Sequence, residues 1–255
     1  MDSAAAPAYN RDALSMPDRL MSQSLSAEAS NAPMQRRTMV DCQIRTFDVT
    51  DHAVISRFLE VPREKLLPSN LIPFAYSDLS LKLPADAQGK ARVMLPPAIL
   101  ARLIQAAAVK PADKVLDIAS GDGYSTAILA GLAHQVVALK ASEPRAAALR
   151  AKLAAIGFGS VRVSAGPLAE GVKSEAPFDV ILVNGTVEAN LDRLFQQLKS
   201  GGRLLTIVRK TTAPGYGASH AVKFESQSGR ISSCFLFDAD APVLEEFRKE
   251  AEFVF

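Results

Sequence analysis

Cysteine is almost absent. The 255 residues contain two, Cys42 and Cys234, and three histidines, His52, His134 and His220, none at a metal-ligand spacing or forming a triad. So sparse a set excludes a disulfide framework and fits a reducing cytoplasm. No apolar run approaches the roughly 20 residues of a membrane span. The first residues, with Asp2 and no basic segment ahead of an apolar core, lack the pattern of a secretory signal. Dense basic runs are missing too. Lys and Arg number 29 against 27 Asp and Glu, a net charge of +2, which makes no case for nucleic acid as a partner. Internal repeats are absent. What is there is ordinary, 48% hydrophobic and 22% charged: one large α/β domain with extensions, or at most two small domains.

Residues 1–35, rich in Ala, Ser, Met and Pro without sustained periodicity, read as a flexible arm with a short helix around 13–25 or as a partner-docking segment. Residues 36–110 read as a helical and loop cap. Asp51 offers an N-cap to a helix through Leu59, Val61-Pro62-Arg63-Glu64 stops it, 84–92 is a loop able to cover a site, and Pro96-Pro97 opens a helix carrying Ile99, Leu100, Leu103 and Ile104 on one face. From 111 to 255 strands alternate with helices. The strands are expected at 115–118, 136–139, 161–163, 178–183 and 203–208, with helices at 144–153 and 191–198 and a turn at Gly201-Gly202. That order predicts a doubly wound, mostly parallel α/β sheet with right-handed crossovers. Ala221–Glu225 and Ile231–Phe237 flank Ser228-Gly229 as a C-terminal antiparallel hairpin, and 244–248 suits a short helix.

The chain is organised around Val115-Leu116-Asp117-Ile118-Ala119-Ser120-Gly121-Asp122-Gly123-Tyr124, an apolar strand, a two-glycine turn and a helix start. In an open α/β sheet a nucleotide-like ligand sits there, outside the carboxyl end of the first strand. Gly121 and Gly123 permit left-handed backbone and close approach to a ligand. The turn lacks the full G-x-G-x-x-G spacing, which sets a dinucleotide oxidoreductase aside. Asp117 is a candidate to meet a ligand ammonium or to cap the turn, and Tyr124 to pack beside the ligand or in the core. Asn184, in Asn184-Gly185-Thr186 after the fourth strand, stands at the same edge of the sheet, as a ligand contact or as part of a turn. Gly215-Tyr216-Gly217 reads as a loop or a mobile lid.

This order resembles the class I S-adenosylmethionine (SAM) methyltransferases, a Rossmann-like fold, and more narrowly the protein-L-isoaspartate O-methyltransferase family. The resemblance runs from about Met39 onward. It is carried by Val61-Pro62-Arg63-Glu64, Ala75-Tyr76-Ser77-Asp78, the turn at 115–124, Ala176-Pro177-Phe178-Asp179, and Leu198-Lys199-Ser200-Gly201-Gly202-Arg203-Leu204. It implies methyl transfer from SAM to an isoaspartyl carboxylate of a damaged protein or peptide. It also implies cofactor contacts from Asp117, Ala119, Gly121, Gly123, Tyr124, Lys140, Glu143 and Asn184.

The sequence departs from that family at several of these positions. Ala119 replaces a glycine. Lys140 replaces the acid that accepts hydrogen bonds from the ribose hydroxyls, leaving Glu143, just before Pro144, as the substitute acceptor or as a helix-start acid. Pro167 falls where an acid reads the adenine amino group. Met94 replaces a serine beside the reacting carboxylate, so the catalytic residue is unassigned, with Arg92 and Asn184 as candidates. Two expectations stand side by side: a SAM-dependent protein carboxyl methyltransferase, or a methyltransferase fold without cofactor that serves as a binding or assembly partner, its Lys140 suited to an anion. Nothing in the pattern fixes an oligomeric state.

Overall fold

Val115, Ala138, Val180, Leu182, Leu205 and Ile207 pack into one apolar cluster, and Leu116, Val137, Ile181, Val183 and Leu204 into another. Alternating residues of the same strands feed both, because successive side chains of a strand point to opposite faces. A sheet apolar on both faces must be covered on both, as parallel sheets are. The computed structural model describes residues 31–85, 92–209 and 218–249, Arg92 by its backbone alone. The expected helix at 13–25, the arm as far as residue 30 and the loop at 215–217 lie outside the described residues.

The sheet has seven strands: β3 (Lys114–Ile118), β4 (Gln135–Lys140), β5 (Arg162–Ala165), β6 (Phe178–Val187), β7 (Leu198–Arg209), β8 (Ser219–Gln227) and β9 (Arg230–Asp238), in the order β5-β4-β3-β6-β7-β8-β9. β5 through β7 run parallel, and β8 and β9 are antiparallel, which is the doubly wound, mostly parallel architecture with the expected hairpin. Chain order reverses between β3 and β6, the switch point where such sheets leave a crevice.

Helices α4 (Tyr124–Ala130) and α5 (Glu143–Ala155) cross between the first parallel strands. In front of the sheet lie α1 (31–39), which continues into the π-helical turn Val40–Ile44, then α2 (His52–Glu60) and α3 (Pro97–Ala107). Asp51 caps α2, its Oδ1 accepting from Ala53 N at 2.8 Å and Val54 N at 3.1 Å. Between α2 and α3 a small antiparallel hairpin, β1 (Leu81–Leu83) with β2 (Arg92–Met94), escapes the sequence pattern because each strand is only three residues long.

Four expectations are corrected. Residues 31–35 are helical, so order begins before residue 36. Gly201-Gly202 lies inside β7 at a register shift rather than in a turn; a Cβ on Gly202 would stand 2.9 Å from two carbonyl oxygens. The helix after β6 shrinks to α6 (Asp192–Phe195). The C-terminal helix is one 3-10 turn, Glu245–Phe247.

Candidate functional site

The register of the parallel strands assembles the site. Ile118 of β3 is level with Leu139 of β4 and with Val183 of β6. The next residue along each chain, Ala119, Lys140 and Asn184, therefore arrives at the same edge. All three line a cavity of about 230 Å³, together with Gly121, Asp122, Gly185, Leu168 and Lys152. β6 runs on to Val187, so Asn184-Gly185-Thr186 is strand rather than the expected turn.

Left-handed backbone makes the turn. Ala119 has φ +57°, Gly121 φ +55° and Gly123 φ +102°. The first is costly for alanine, whose Cβ crowds the carbonyl in that conformation. A Cβ on Gly121 would meet Val93 O at 3.1 Å, so this glycine lets the β1–β2 hairpin close on the turn. Gly123 serves another purpose: a Cβ there would lie 2.4 Å from Leu149 Cδ1, and it does not border the cavity. It packs against α5 behind the cavity wall.

Asp117 is fully buried behind the turn. Its carboxylate accepts from Ser125 Oγ at 2.9 and 3.2 Å, Thr126 Oγ1 at 2.6 Å and Asn184 Nδ2 at 2.6 Å. Burial raises its pKa; the bonds from Thr126 and Asn184, the charge of Lys140 and the bond from Ser125 pull the other way. With its oxygens taken by its own chain, Asp117 holds the turn and Asn184 rather than meeting a ligand. Asn184 Nδ2 also donates to Ile118 O at 2.8 Å, which ties β6 to β3.

Lys140, 5% exposed, reaches across from β4 to the turn, where Nζ donates to Ser120 Oγ and Gly121 O, both at 2.7 Å. A tethered ammonium thus stands at the cavity wall where the resemblance puts an acid. Glu143 does not replace that acid. Exposed at the start of α5, it accepts from Arg150 Nη1 at 2.6 Å, two turns along the same helix face, and does not border the cavity. Tyr124 is likewise a core residue, fully buried, edge-on to Phe58 with ring centroids 5.7 Å apart.

Met94 is buried and paired with Leu81, while its neighbours Val93 and Leu95 border the cavity, as alternation along an extended segment requires. Behind Leu95 lies a residue the sequence reading did not single out for the site. Arg63 is fully buried, its guanidinium carbon is 4.6 Å from the Tyr124 ring centroid, and its Nη2 donates to Leu95 O at 3.0 Å. Burial lowers its pKa to about 10.

A second omission is larger. Residues 239–248 lie as a strap over the carboxyl ends of the strands. Thr186 N donates to Pro242 O at 3.1 Å, Thr186 Oγ1 to Ala241 O at 2.6 Å, Leu244 N to Thr186 O at 2.9 Å, and Glu188 N to Phe247 O at 2.9 Å. Gly185 makes room for the strap, since a Cβ would stand 2.7 Å from Leu244 Cγ. The strap brings Glu245, Glu246 and Arg248 to the cavity, which Lys152, Arg145 and Asp122 also border; Lys152 Nζ pairs with Asp122 Oδ2 at 2.7 Å. Of these, only Arg145 and Lys152 lie in a segment that the sequence marks as a helix and that folds into an α-helix.

Comparison with known proteins gives a consistent result. A family model described as protein-L-isoaspartate(D-aspartate) O-methyltransferase matches residues 34–220. The protein-L-isoaspartate O-methyltransferase of Koribacter versatilis is 34% identical over 213 residues, covering 84% of this chain and 91% of its own. That of Opitutus terrae is 34% identical over 190 residues, covering 74% and 76%. A solved structure titled protein-L-isoaspartate O-methyltransferase superposes with a TM-score of 0.71 at 22% identity, over 82% of this chain; the chain spans 65% of that one. A second, described as a putative protein-L-isoaspartate O-methyltransferase from Plasmodium falciparum in complex with S-adenosyl-L-homocysteine, gives 0.68 at 17% identity, over 84% and 98%. Both share the class I methyltransferase fold.

Proposed function

Because the chain belongs to the protein-L-isoaspartate(D-aspartate) O-methyltransferase family, we propose that it is a SAM-dependent carboxyl methyltransferase whose acceptor is the isoaspartyl carboxylate of a protein or peptide. The observation that carries the reading is the cavity at the switch point, bordered by Ala119, Gly121, Lys140 and Asn184, which three aligned strands bring together.

The residues present fit SAM, with one inversion of polarity. Gly121 presents backbone without a side chain to the cavity. Lys140 is donor-only, and a ribose hydroxyl has lone pairs to accept from it as well as a proton to give. SAM, when bound, supplies an electrophilic methyl group. The chain's own part is placement. A carboxylate is already nucleophilic at neutral pH, so no general base is required, and the missing hydroxyl at Met94 removes an orienting group rather than a proton acceptor. Holding the reactants in line supplies most of such a rate enhancement. Asn184, fixed by Asp117 and Ile118 O, and Leu95, fixed by Arg63, supply rigid walls. The strap covers the ends of the strands at Thr186 and Glu188. We place the protein in a reducing cytoplasm, which would keep the exposed Cys42 and Cys234 as free thiols.

Calorimetric titration with SAM and S-adenosylhomocysteine (SAH), followed by methyl transfer to an isoaspartyl peptide beside its aspartyl twin, tests the reading. Binding of both ligands and methylation of the isoaspartyl peptide alone are expected. One observation favours a second reading, a binding protein without catalysis: Lys140 already occupies Gly121 O and Ser120 Oγ. No heat with either ligand at several hundred micromolar, on the order of ordinary KM values, would decide for it.

A further inference from the structure

We propose that Glu246, delivered by the strap, is the specificity-determining residue through which this chain recognises the exocyclic amino group of the cofactor's base; the proposal rests on the cofactor reading above. An aromatic amine is a donor, and a cavity that selects it needs an acceptor. The end of β5 supplies no side-chain acceptor, since Ala165, Gly166, Pro167 and Leu168 follow one another there. Among the described residues three carboxylates border the cavity: Asp122, Glu245 and Glu246. Asp122 is held by Lys152 at 2.7 Å. Glu246 is the one that stands at the β5 end, where its Oε2 accepts from Leu168 N at 2.6 Å.

That bond aims the carboxylate. A carboxylate has two oxygens and about four acceptor positions, so one backbone N–H fixes its direction and leaves acceptor capacity. The residue itself is pinned on both sides. Leu244 N donates to Thr186 O at 2.9 Å, Asn190 Nδ2 to Glu246 O at 3.1 Å, and Ala189 N to Phe247 O at 3.0 Å, with Phe247 fully buried. The strap thus brings an acid from 78 positions along the chain to a strand end that has none. Such an acceptor binds an amine and repels a carbonyl oxygen in the same place, so it selects an adenine over a hypoxanthine base.

The test compares SAH with S-inosylhomocysteine, which carries a carbonyl oxygen in place of the amine, by calorimetry on the full chain. The wild type is expected to bind SAH about ten- to a hundredfold more tightly, the range of a hydrogen bond to a charged group. Glu246→Gln, whose amide can donate to the carbonyl, is expected to bring the two within about threefold. Glu246→Ala is expected to lose SAH affinity and leave the inosyl ligand nearly unchanged. A wild type that does not discriminate overturns the proposal, as does full discrimination retained by Glu246→Gln. Tighter SAH binding by Glu246→Ala overturns it too, making the carboxylate a plug instead of a reader. Binding of SAH without discrimination defeats this inference alone, whereas no SAH binding in any of the three proteins defeats the cofactor reading with it.

Discussion

Lys140 and Asp117 carry opposite charges into a region where neither is more than 5% exposed. Removing one member of such a pair leaves the other uncompensated, which costs more than the pair itself contributes. Lys140→Met is therefore expected to destabilise the protein by about 1–3 kcal/mol. The effect should depend on pH. Asp117 has a raised pKa in the folded chain, so over the window above the ordinary carboxylate value the folded state binds more protons than the unfolded one. Stability then falls as pH rises through that window and levels off above it. The Lys140 charge lowers the Asp117 pKa; without it the window widens upward and the fall is longer. Urea midpoints measured from pH 4 to 8 check this, and equal profiles in the two proteins would remove Lys140 from the charge balance. A milder change nearby, Ala119→Gly, is expected to stabilise by about 1 kcal/mol or less, because relief of the left-handed alanine outweighs the added freedom of the unfolded chain; a lower urea midpoint for the variant would contradict it. Lys140 could be placed from sequence because strand period fixes where β4 ends. The fate of Glu143 could not, since its partner Arg150 lies two helical turns away on a face that only the folded α5 defines.

Strands and their connections were legible at the scale of elements for the same reason. Apolar runs of even spacing, punctuated by glycine and proline, specify β3 to β7 and the β8–β9 hairpin. Those runs also specify the common edge at which Ala119, Lys140 and Asn184 arrive. The strap was not legible. All but one of its bonds to Thr186 and Glu188 are backbone contacts, spanning 56 to 59 positions, and backbone groups leave no signature in side-chain periodicity. Its anchor is one aromatic ring. Phe247→Ala opens a cavity in the cluster that includes Val187, Leu194 and Leu168 and is expected to cost about 3–5 kcal/mol. Limited proteolysis should then cut within 239–249 well before the sheet, and SAH affinity should fall with it. Loss of stability at unchanged SAH affinity would mean that the strap covers the core without covering the ligand.

Both apolar clusters are built on the same strands, so the molecule presents its cavity as part of a single sheet, and ligand binding must be felt by the whole fold. A ligand at a hundred times its Kd adds about 2.7 kcal/mol, or roughly 5–10 °C in Tm for a domain of this size. The two forms of the cofactor should differ in this respect. Among the described residues that border the cavity, Lys140, Arg145, Lys152 and Arg248 face Asp122, Glu245 and Glu246, four cations against three carboxylates. SAM adds a sulfonium charge that SAH lacks. In so small a space that charge cannot be far from Lys140, and the repulsion is only partly screened by protein and solvent. At low ionic strength SAH is therefore expected to raise Tm more than SAM at equal concentration, and the gap should narrow as salt is raised toward physiological levels, where the screening length is about 8 Å. Lys140→Gln should close much of the gap at low salt while keeping a donor for Gly121 O. Equal shifts for SAM and SAH in wild-type protein at low salt would mean that the ammonium is spent wholly on Asp117 and the turn, and that the cofactor does not sense it.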